Sequence, residues 1–337
     1  MARPGPLNSI CDVAGIRVGC AQDEAVRTGV TVIVPENRAV CAVDVRGGGP
    51  GTRETDALQP ENLVDAVDAV VLSGGSMYGL AAADGVAAWL GARGRGYVVS
   101  ANPDVPRSPI VPAAILFDLS NGGDKGWGAA PPYRALGMAA MDLAGRDVAL
   151  GNFGAGLGAQ AGALKGGQGS ASVVTSDGIT IGAMVCVNAL GSVTMPGSRA
   201  FWAWPFEVDG EFGGVRPDAN AQVDAEDWSG AKVNPAPRAN TTIACIALDA
   251  DLTPAEAKRV AQMASAGVAR AIRPVFSPFD GDVVFALATG ARPTPAPRAL
   301  AIARFGAVAA DCLARAIARG VYAAASIGGA PAWRDLK

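Results

Sequence analysis

Four places in this 337-residue chain combine residue types that can carry chemistry. The first is Asn240-Thr241-Thr242, where a polar, Pro-rich stretch gives way to the apolar run TTIACIALD. Threonine is common where a loop becomes a strand, which is one account of it. The chemical account is that the peptide bond between Asn240 and Thr241 is cut, so that Thr241 becomes a new N-terminus. A free α-amine titrates near about 7.7 to 8.0, so part of it is neutral at physiological pH and can take the proton from its own residue's hydroxyl. The second place is Lys165, in the glycine tract GNFGAGLGAQAGALKGGQGSAS at 151–172. It reads as a surface lysine or as a functional cation around which glycines let the backbone pack closely. The third is Asn188 in the apolar run VCVNALG, an amide that must find partners in a buried strand or face a site at the strand's end. The fourth is Asp280-Gly281-Asp282, which reads as turn residues or as a pair of functional carboxylates. A divalent metal there would need further oxygen ligands that the sequence does not assign.

The composition narrows the chemistry. There is no histidine. Ser-His-Asp and Cys-His catalysis, His-ligated zinc and imidazole acid/base work are excluded, so a hydrolase built on this sequence needs another base. The six cysteines, at 11, 20, 41, 186, 245 and 312, form no CxxC pair, and buried reduced thiols are expected rather than a zinc ribbon or a redox pair. Half of the residues are hydrophobic, 18% are charged and the net charge is -3. That balance predicts a compact soluble protein with no basic field for nucleic acid. The longest apolar runs, such as 181–187, fall far short of the roughly 18 residues of a membrane span. The opening MARPGPLNSI lacks the apolar stretch of a secretory signal, which makes the cytoplasm the expected location.

The elements that must hold these residues follow from the apolar pattern. Residues 30–34 and 39–45 read as two adjoining strands, and 65–72 as a buried strand that enters Ser73-Gly74-Gly75-Ser76 and then a helix over 77–90. Strands are expected at 172–174 and 179–190, flanking Asn188. Residues 200–239, with Trp202, Trp204, Trp228, Pro217, Pro235 and Pro237, read as an exposed loop or linker. A strand begins at Thr241. Thr253, Pro254 and Glu256 then form the start of a helix with a capping box, followed by an apolar stripe through Ala257, Val260, Ala261, Ala264 and Val268. A strand over 282–288 and a long helix over 298–319 complete the chain. Mixed strands and helices without regular alternation predict an α/β or α+β fold with antiparallel sheet.

The glycine tract also contains G-x-G-x-x-A at Gly156, Gly158 and Ala161, the pattern of a dinucleotide site. Such a site needs a helix opening from the glycines, and the following segment reads as strand. A nucleotide-dependent oxidoreductase therefore stands as an alternative reading, beside a non-catalytic binding or assembly protein.

Taken in order, SGGSMYGLAAADGV, GAGLGAQAGALKGG, VNALGSV, NTTIACIALDADLTPAEAKRVAQMASAGVARAIRP and FDGDVVFALATG cover most of the chain. Together they resemble the self-cleaving N-terminal-nucleophile peptidases that include DmpA-type aminopeptidases, β-peptidyl aminopeptidases and nylon-oligomer (6-aminohexanoate oligomer) endohydrolases. The resemblance implies a four-layer α/β/β/α sandwich formed as one domain from two chains, 1–240 and 241–337. It implies autocleavage between Asn240 and Thr241, with Thr241 as nucleophile and Lys165, Asn188, Asp280 and Asp282 around it. The Asp-Gly-Asp motif is that of the nylon-hydrolase branch, where the aminopeptidases have Ser-x-Glu. Phe117 stands where those hydrolases carry a Tyr near the substrate, and Tyr78 is a second expected pocket residue. The resemblance further implies no metal or cofactor, a small peptide or amide-oligomer substrate, and a homo-oligomer, tetrameric or larger, of cleaved protomers.

Overall fold

The computed structural model describes residues 2–233 and 239–336. In chain order its first strands are β1 (Ile16–Asp23), β2 (Thr28–Pro35), β3 (Ala39–Val45), β4 (Thr52–Arg53), β5 (Ala66–Val67), β6 (Val70–Ser73) and β7 (Ala113–Ile115). They are followed by β8 (Gln160–Ala161), β9 (Leu164–Lys165), β10 (Gly167–Val174), β11 (Thr180–Asn188), β12 (Thr241–Ala250) and β13 (Val283–Arg292). The helices are α1 (Ala81–Gly91), α2 (Tyr133–Asp142), α3 (Pro254–Ala264), α4 (Ala266–Ala271) and α5 (Arg298–Ala323).

Two sheets stack face to face. One has the order β1-β2-β6-β7-β4, the other β10-β11-β12-β13-β3-β5, and most neighbours run antiparallel. The exceptions are the parallel pairs β12 with β13 and β6 with β7. Helices α1 and α2 cover the outer face of the first sheet, and α3, α4 and α5 that of the second. The result is the four-layer sandwich.

Strand parity explains how the layers hold together. In β12, Ile243, Cys245 and Ala247 point into the slab between the sheets, where they meet Ile33, Leu72 and Phe285. Their neighbours Ala244, Ile246 and Leu248 point the other way, onto Val260, Phe305 and Leu313 of the helices. Both faces of this strand are buried, so it reads as a continuous apolar run instead of an alternating one. Every residue of β12 is buried. Five of the six cysteines are buried and none is bridged.

Three local expectations are corrected. Strands β2 and β3 follow each other in sequence but belong to opposite sheets, because Pro35 to Arg38 carries the chain across the slab instead of turning it into a hairpin. The apolar stretch 65–72 is likewise divided, with β5 at the edge of the second sheet and β6 inside the first. The segment before residue 240 is not exposed throughout. Phe201, Ala203, Phe212 and Ala231 are buried, and Phe201 stacks on Trp333 with ring centroids 5.2 Å apart. Its aromatic area is too large to leave in water. Pro235 and Pro237 lie outside the described residues. The helix cap is as expected: Thr253 Oγ1 accepts from the Glu256 N–H, and the Glu256 carboxylate accepts from the Thr253 N–H at 2.8 Å.

A buried ion cluster ties distant segments together. Arg315 of α5, 3% exposed, pairs with Glu211 at 2.6 Å and donates to Asn8 Oδ1 at 3.0 Å and to the Ser172 carbonyl at 2.9 Å. Arg319 lies 3.4 Å from the same glutamate.

Candidate active site

Thr241 opens β12 and stands opposite Asn188, the last residue of β11. By the parity above, both side chains leave the second sheet on the face toward the first. The Thr241 hydroxyl donates to the carbonyl oxygen of Asn240 at 2.5 Å. That oxygen also accepts the backbone N–H of Gly281 at 2.8 Å. Asn240 bridges Asp280 in a short parallel contact, which brings the Asp280-Gly281-Asp282 turn against the start of β12.

Glycine is required in the middle of that turn. A Cβ at residue 281 would sit 2.8 Å from the Gly49 carbonyl oxygen and 2.9 Å from Thr241 Oγ1, closer than such atoms pack. The two flanking carboxylates are both buried and are spent on fixing the backbone. Asp280 accepts from the Ser277 N–H at 3.0 Å, the Ser277 hydroxyl at 2.6 Å and the Leu190 N–H at 3.2 Å. Asp282 accepts from the Thr242 N–H at 2.6 Å and the Phe276 N–H at 3.3 Å. Burial, with Asp280 nearby, raises the pKa of Asp282.

Asn188 is fully buried and fully used. Its Oδ1 accepts the Gln160 N–H at 2.9 Å, and its Nδ2 donates to the carbonyls of Phe117 at 3.0 Å and Ala239 at 3.2 Å. One of its two N–H groups is therefore aimed at the chain just before the Asn240–Thr241 bond, and the other at the Phe117 carbonyl.

Lys165 is buried within the glycine tract. At 2% exposure its Nζ donates to the carbonyls of Gly166 at 2.7 Å, Ala159 at 2.8 Å and Gly156 at 3.0 Å. The glycines around it bring those carbonyls close, as the tract's composition suggested. Burial pushes its pKa down to about 7, with Asp118 and Cys186 acting the other way. The three carbonyls also favour the ammonium, because only it has three protons to give. Lys165 thus organises the wall that presents Gln160 to Asn188. The G-x-G-x-x-A pattern leads into β8 and β9 and not into a helix, which removes the structural basis of a dinucleotide site.

A cavity of about 490 Å³ opens beside these groups, with Phe117, Ser120, Asn121, Gln160, Lys232 and Asn240 in its lining. Phe117 is one of its lining residues. Tyr78 is half exposed and packs edge-on against Trp127, with ring centroids 5.7 Å apart, and it is not part of this lining.

Two groups beside these residues were not anticipated. The Gly281 N–H could have been sought in the D-G-D motif itself, where a residue without Cβ allows close approach. Lys232 had no such signal, since it lies within the stretch read as exposed. Its Nζ donates to the Asn188 carbonyl at 3.2 Å, and its backbone N–H bonds the Leu190 carbonyl at 2.9 Å. Burial pushes its pKa down to about 7, opposed by Asp280. Among the described residues no group of three or more Cys, Asp or Glu side chains is arranged to hold a metal ion, and no helix is long and apolar enough to cross a membrane.

Residues 8–332 match the family described as Peptidase family S58. An uncharacterized aminopeptidase of Mycobacterium bovis is 45% identical over 350 aligned positions, covering 98% of each chain. The 6-aminohexanoate-oligomer endohydrolase of Agromyces sp. (strain KY5R) is 30% identical, covering 82% of this chain and 74% of the relative. Among solved structures, a Burkholderia sp. beta-aminopeptidase superposes with a TM-score of 0.70 at 24% identity, over 98% of this chain and 91% of that one. The L-aminopeptidase D-Ala-esterase/amidase of Ochrobactrum anthropi, described as a variant of the Ntn hydrolase fold, gives 0.69 at 22%, over 96% and 88%.

Proposed function

The chain belongs to peptidase family S58 and is an amide hydrolase, and from that premise we propose that its nucleophile is Thr241, released by the chain's own cleavage after Asn240. The observation that carries the reading is the Asn240 carbonyl, which receives both the Thr241 hydroxyl at 2.5 Å and the Gly281 N–H at 2.8 Å. In the precursor, Thr241 Oγ attacks that carbonyl carbon. The C–N bond breaks as the amide nitrogen takes a proton, and an ester to Thr241 is left. Water then hydrolyses the ester, giving a carboxylate on Asn240 and a free amine on Thr241.

In the mature enzyme the Thr241 amine, directly or through water, accepts the Oγ proton as Oγ attacks a substrate amide. The leaving amine departs protonated, and water releases the acyl group from Oγ. The Gly281 N–H is the candidate donor to the oxyanion, and Asn188 Nδ2 becomes a second once its bond to the Ala239 carbonyl is released, each of a kind whose loss costs about 3 to 4 kcal/mol. Asp280 and Asp282 keep the Gly281 turn in register with β12. The chemistry needs no histidine.

The substrate is a short peptide or amide oligomer, cut at its N-terminal bond as the names of the mycobacterial relatives suggest, or internally as that of the oligomer endohydrolase suggests. The protein acts in the cytoplasm as a homo-oligomer of cleaved protomers, a state that light scattering of the purified protein tests. The decisive experiment is intact-mass analysis of wild type and Thr241→Ala. Wild type should give two species that break before Thr241, and the variant one full-length mass with no amidase activity. A variant that still splits at the same bond would overturn the assignment.

A further inference from the structure

We propose that Lys232 is a positioning residue of the reaction: from across a shared Asn188 carbonyl oxygen, its ammonium keeps the freed Thr241 amine in the unprotonated form that serves as base. The role rests on Thr241 being the nucleophile and deepens that reading. The ladder places the two nitrogens. The Leu190 N–H points to Asp280 and the Thr242 N–H to Asp282. Backbone N–H and C=O groups change sides at each residue of a strand, so the Asn188 carbonyl faces β12 and the Thr241 N–H faces β11. These two residues are partners in the ladder, and the Asn188 oxygen therefore stands before the nitrogen that cleavage turns into an amine. The same oxygen accepts from Lys232 Nζ at 3.2 Å. Two nitrogens within hydrogen-bond reach of one oxygen are at most roughly 6 Å apart.

The bonds that hold Lys232 in place do not pass through residue 240. Its backbone N–H bonds the Leu190 carbonyl at 2.9 Å, Ala231 is buried, and the Gly230 carbonyl accepts from the Ala163 N–H at 3.0 Å. A Cβ on Gly230 would lie 2.5 Å from Ser192 Oγ, so the chain is closely packed there. Burial pushes the pKa of Lys232 down to about 7, opposed by Asp280. The lysine and the amine therefore compete for protons in the same range, and a charge on either disfavours a charge on the other.

Every charge around the amine enters the balance. From the turn before β13, Asp280 and Asp282 favour the protonated amine, although both already accept backbone hydrogen bonds. Lys165 of β9 disfavours it from behind the three carbonyls to which it donates. Asp118 accepts from Thr28 Oγ1 at 2.6 Å and the Gly75 N–H at 2.8 Å, and Arg46, just after β3, is paired with Asp44 at 2.6 Å. Cleavage adds the Asn240 carboxylate, in the lining of the cavity that Lys232 also lines. While it remains, it offsets Lys232 and favours the charged amine. An external acyl group attacked by the same oxygen needs the place of the Asn240 carbonyl. In turnover that carboxylate is therefore displaced, and Lys232, held through residues 163 and 190, stays beside the amine.

The test measures the amine itself. Trace acetylation with acetic anhydride from roughly pH 5 to 9, scored by mass spectrometry on the peptide that begins at Thr241, gives the midpoint at which this amine loses its proton. The acid limb of kcat/KM on an amino-acid p-nitroanilide reads the same midpoint through turnover. Lys232→Met should raise both midpoints by about one to two pH units, with kcat on the alkaline plateau lowered by about threefold at most. Lys232→Arg, whose charge is permanent, should leave both at or below the wild-type values. Equal or lower midpoints in Lys232→Met, or raised midpoints in Lys232→Arg, would overturn the proposal while leaving Thr241 as nucleophile. So would a Lys232→Met chain that stays uncut, because the lysine would then act on the precursor and not on the freed amine. If Thr241→Ala is still cut, the parent reading fails separately.

Discussion

The N–H of Gly281 and the carbonyl of Asn240 are hydrogen-bonded at 2.8 Å, on the same oxygen that the Thr241 hydroxyl reaches. A donor on the oxygen and a hydroxyl beside the carbonyl are two of the requirements for attack on that bond. Gly281→Ala would place a methyl against Thr241 Oγ1 and the Gly49 carbonyl. Displacement of reacting groups by roughly 1 Å costs on the order of 100-fold. Conversion of the precursor, followed by gel or intact mass over time, should slow by about that factor while the variant remains folded by circular dichroism.

Asn188 supports both the site and the wall behind it. In Asn188→Ala the donor disappears and the Gln160 N–H loses its acceptor. Loss of one oxyanion donor lowers kcat by about 100- to 1,000-fold. A buried unsatisfied group costs about 1 to 3 kcal/mol. Steady-state kinetics should show the first effect and denaturant titration the second.

Lys165 and Lys232 make stability depend on pH. Each folded-state pKa is depressed to about 7, so above that pH the unfolded chain holds more protons than the folded one. Stability should rise as pH increases from 7 to 8, with Lys165 contributing a slope of up to about 1.4 kcal/mol per pH unit. Asp282, raised by burial to about 7, acts with the opposite sign mainly below that interval and offsets part of the rise at its lower end. The buried thiols such as Cys41 and Cys186, also raised by burial, oppose the rise only at higher pH. Urea unfolding of Lys165→Met should give a protein of lower stability with a flatter slope between pH 7 and 8.

Glu211 neutralises two arginines at once. Glu211→Ala leaves Arg315 buried without its carboxylate and deprives Arg319 of the same partner. Breaking a buried pair in this way costs about 3 to 5 kcal/mol. A fall in thermal midpoint measured by calorimetry should be partly reversed in the double variant Glu211→Ala/Arg315→Met.

Much of this was legible in the residues. The strand from Thr241, the capping box at Thr253 and the long helix from Arg298 each have a strong local pattern, and the structure contains all three. What failed was partnership. The run 30–45 shows two strands but nothing in it says that β2 and β3 go to different sheets, since the crossing is decided by residues far along the chain. The site divides the same way. Asn188 was visible because an amide in an apolar strand demands a partner, whereas Lys232 sits in a stretch with no periodic pattern. The role of Lys165 was legible only in part. Its glycine surroundings pointed to close packing, but the three carbonyl acceptors come from backbone that folds around it.

The strand order of the second sheet has a consequence for a chain cut before Thr241. β12 and β13 lie between β11 on one side and β3 on the other, so the segment after Thr241 is flanked by segments from before it. A cut between Asn240 and Thr241 would leave these ladders intact. To separate, the two pieces would have to unzip both seams and open the slab, exposing unpaired strand edges on each. Neither piece would then be a folding unit in its own right, and the uncut chain would be the template on which a two-chain molecule is assembled.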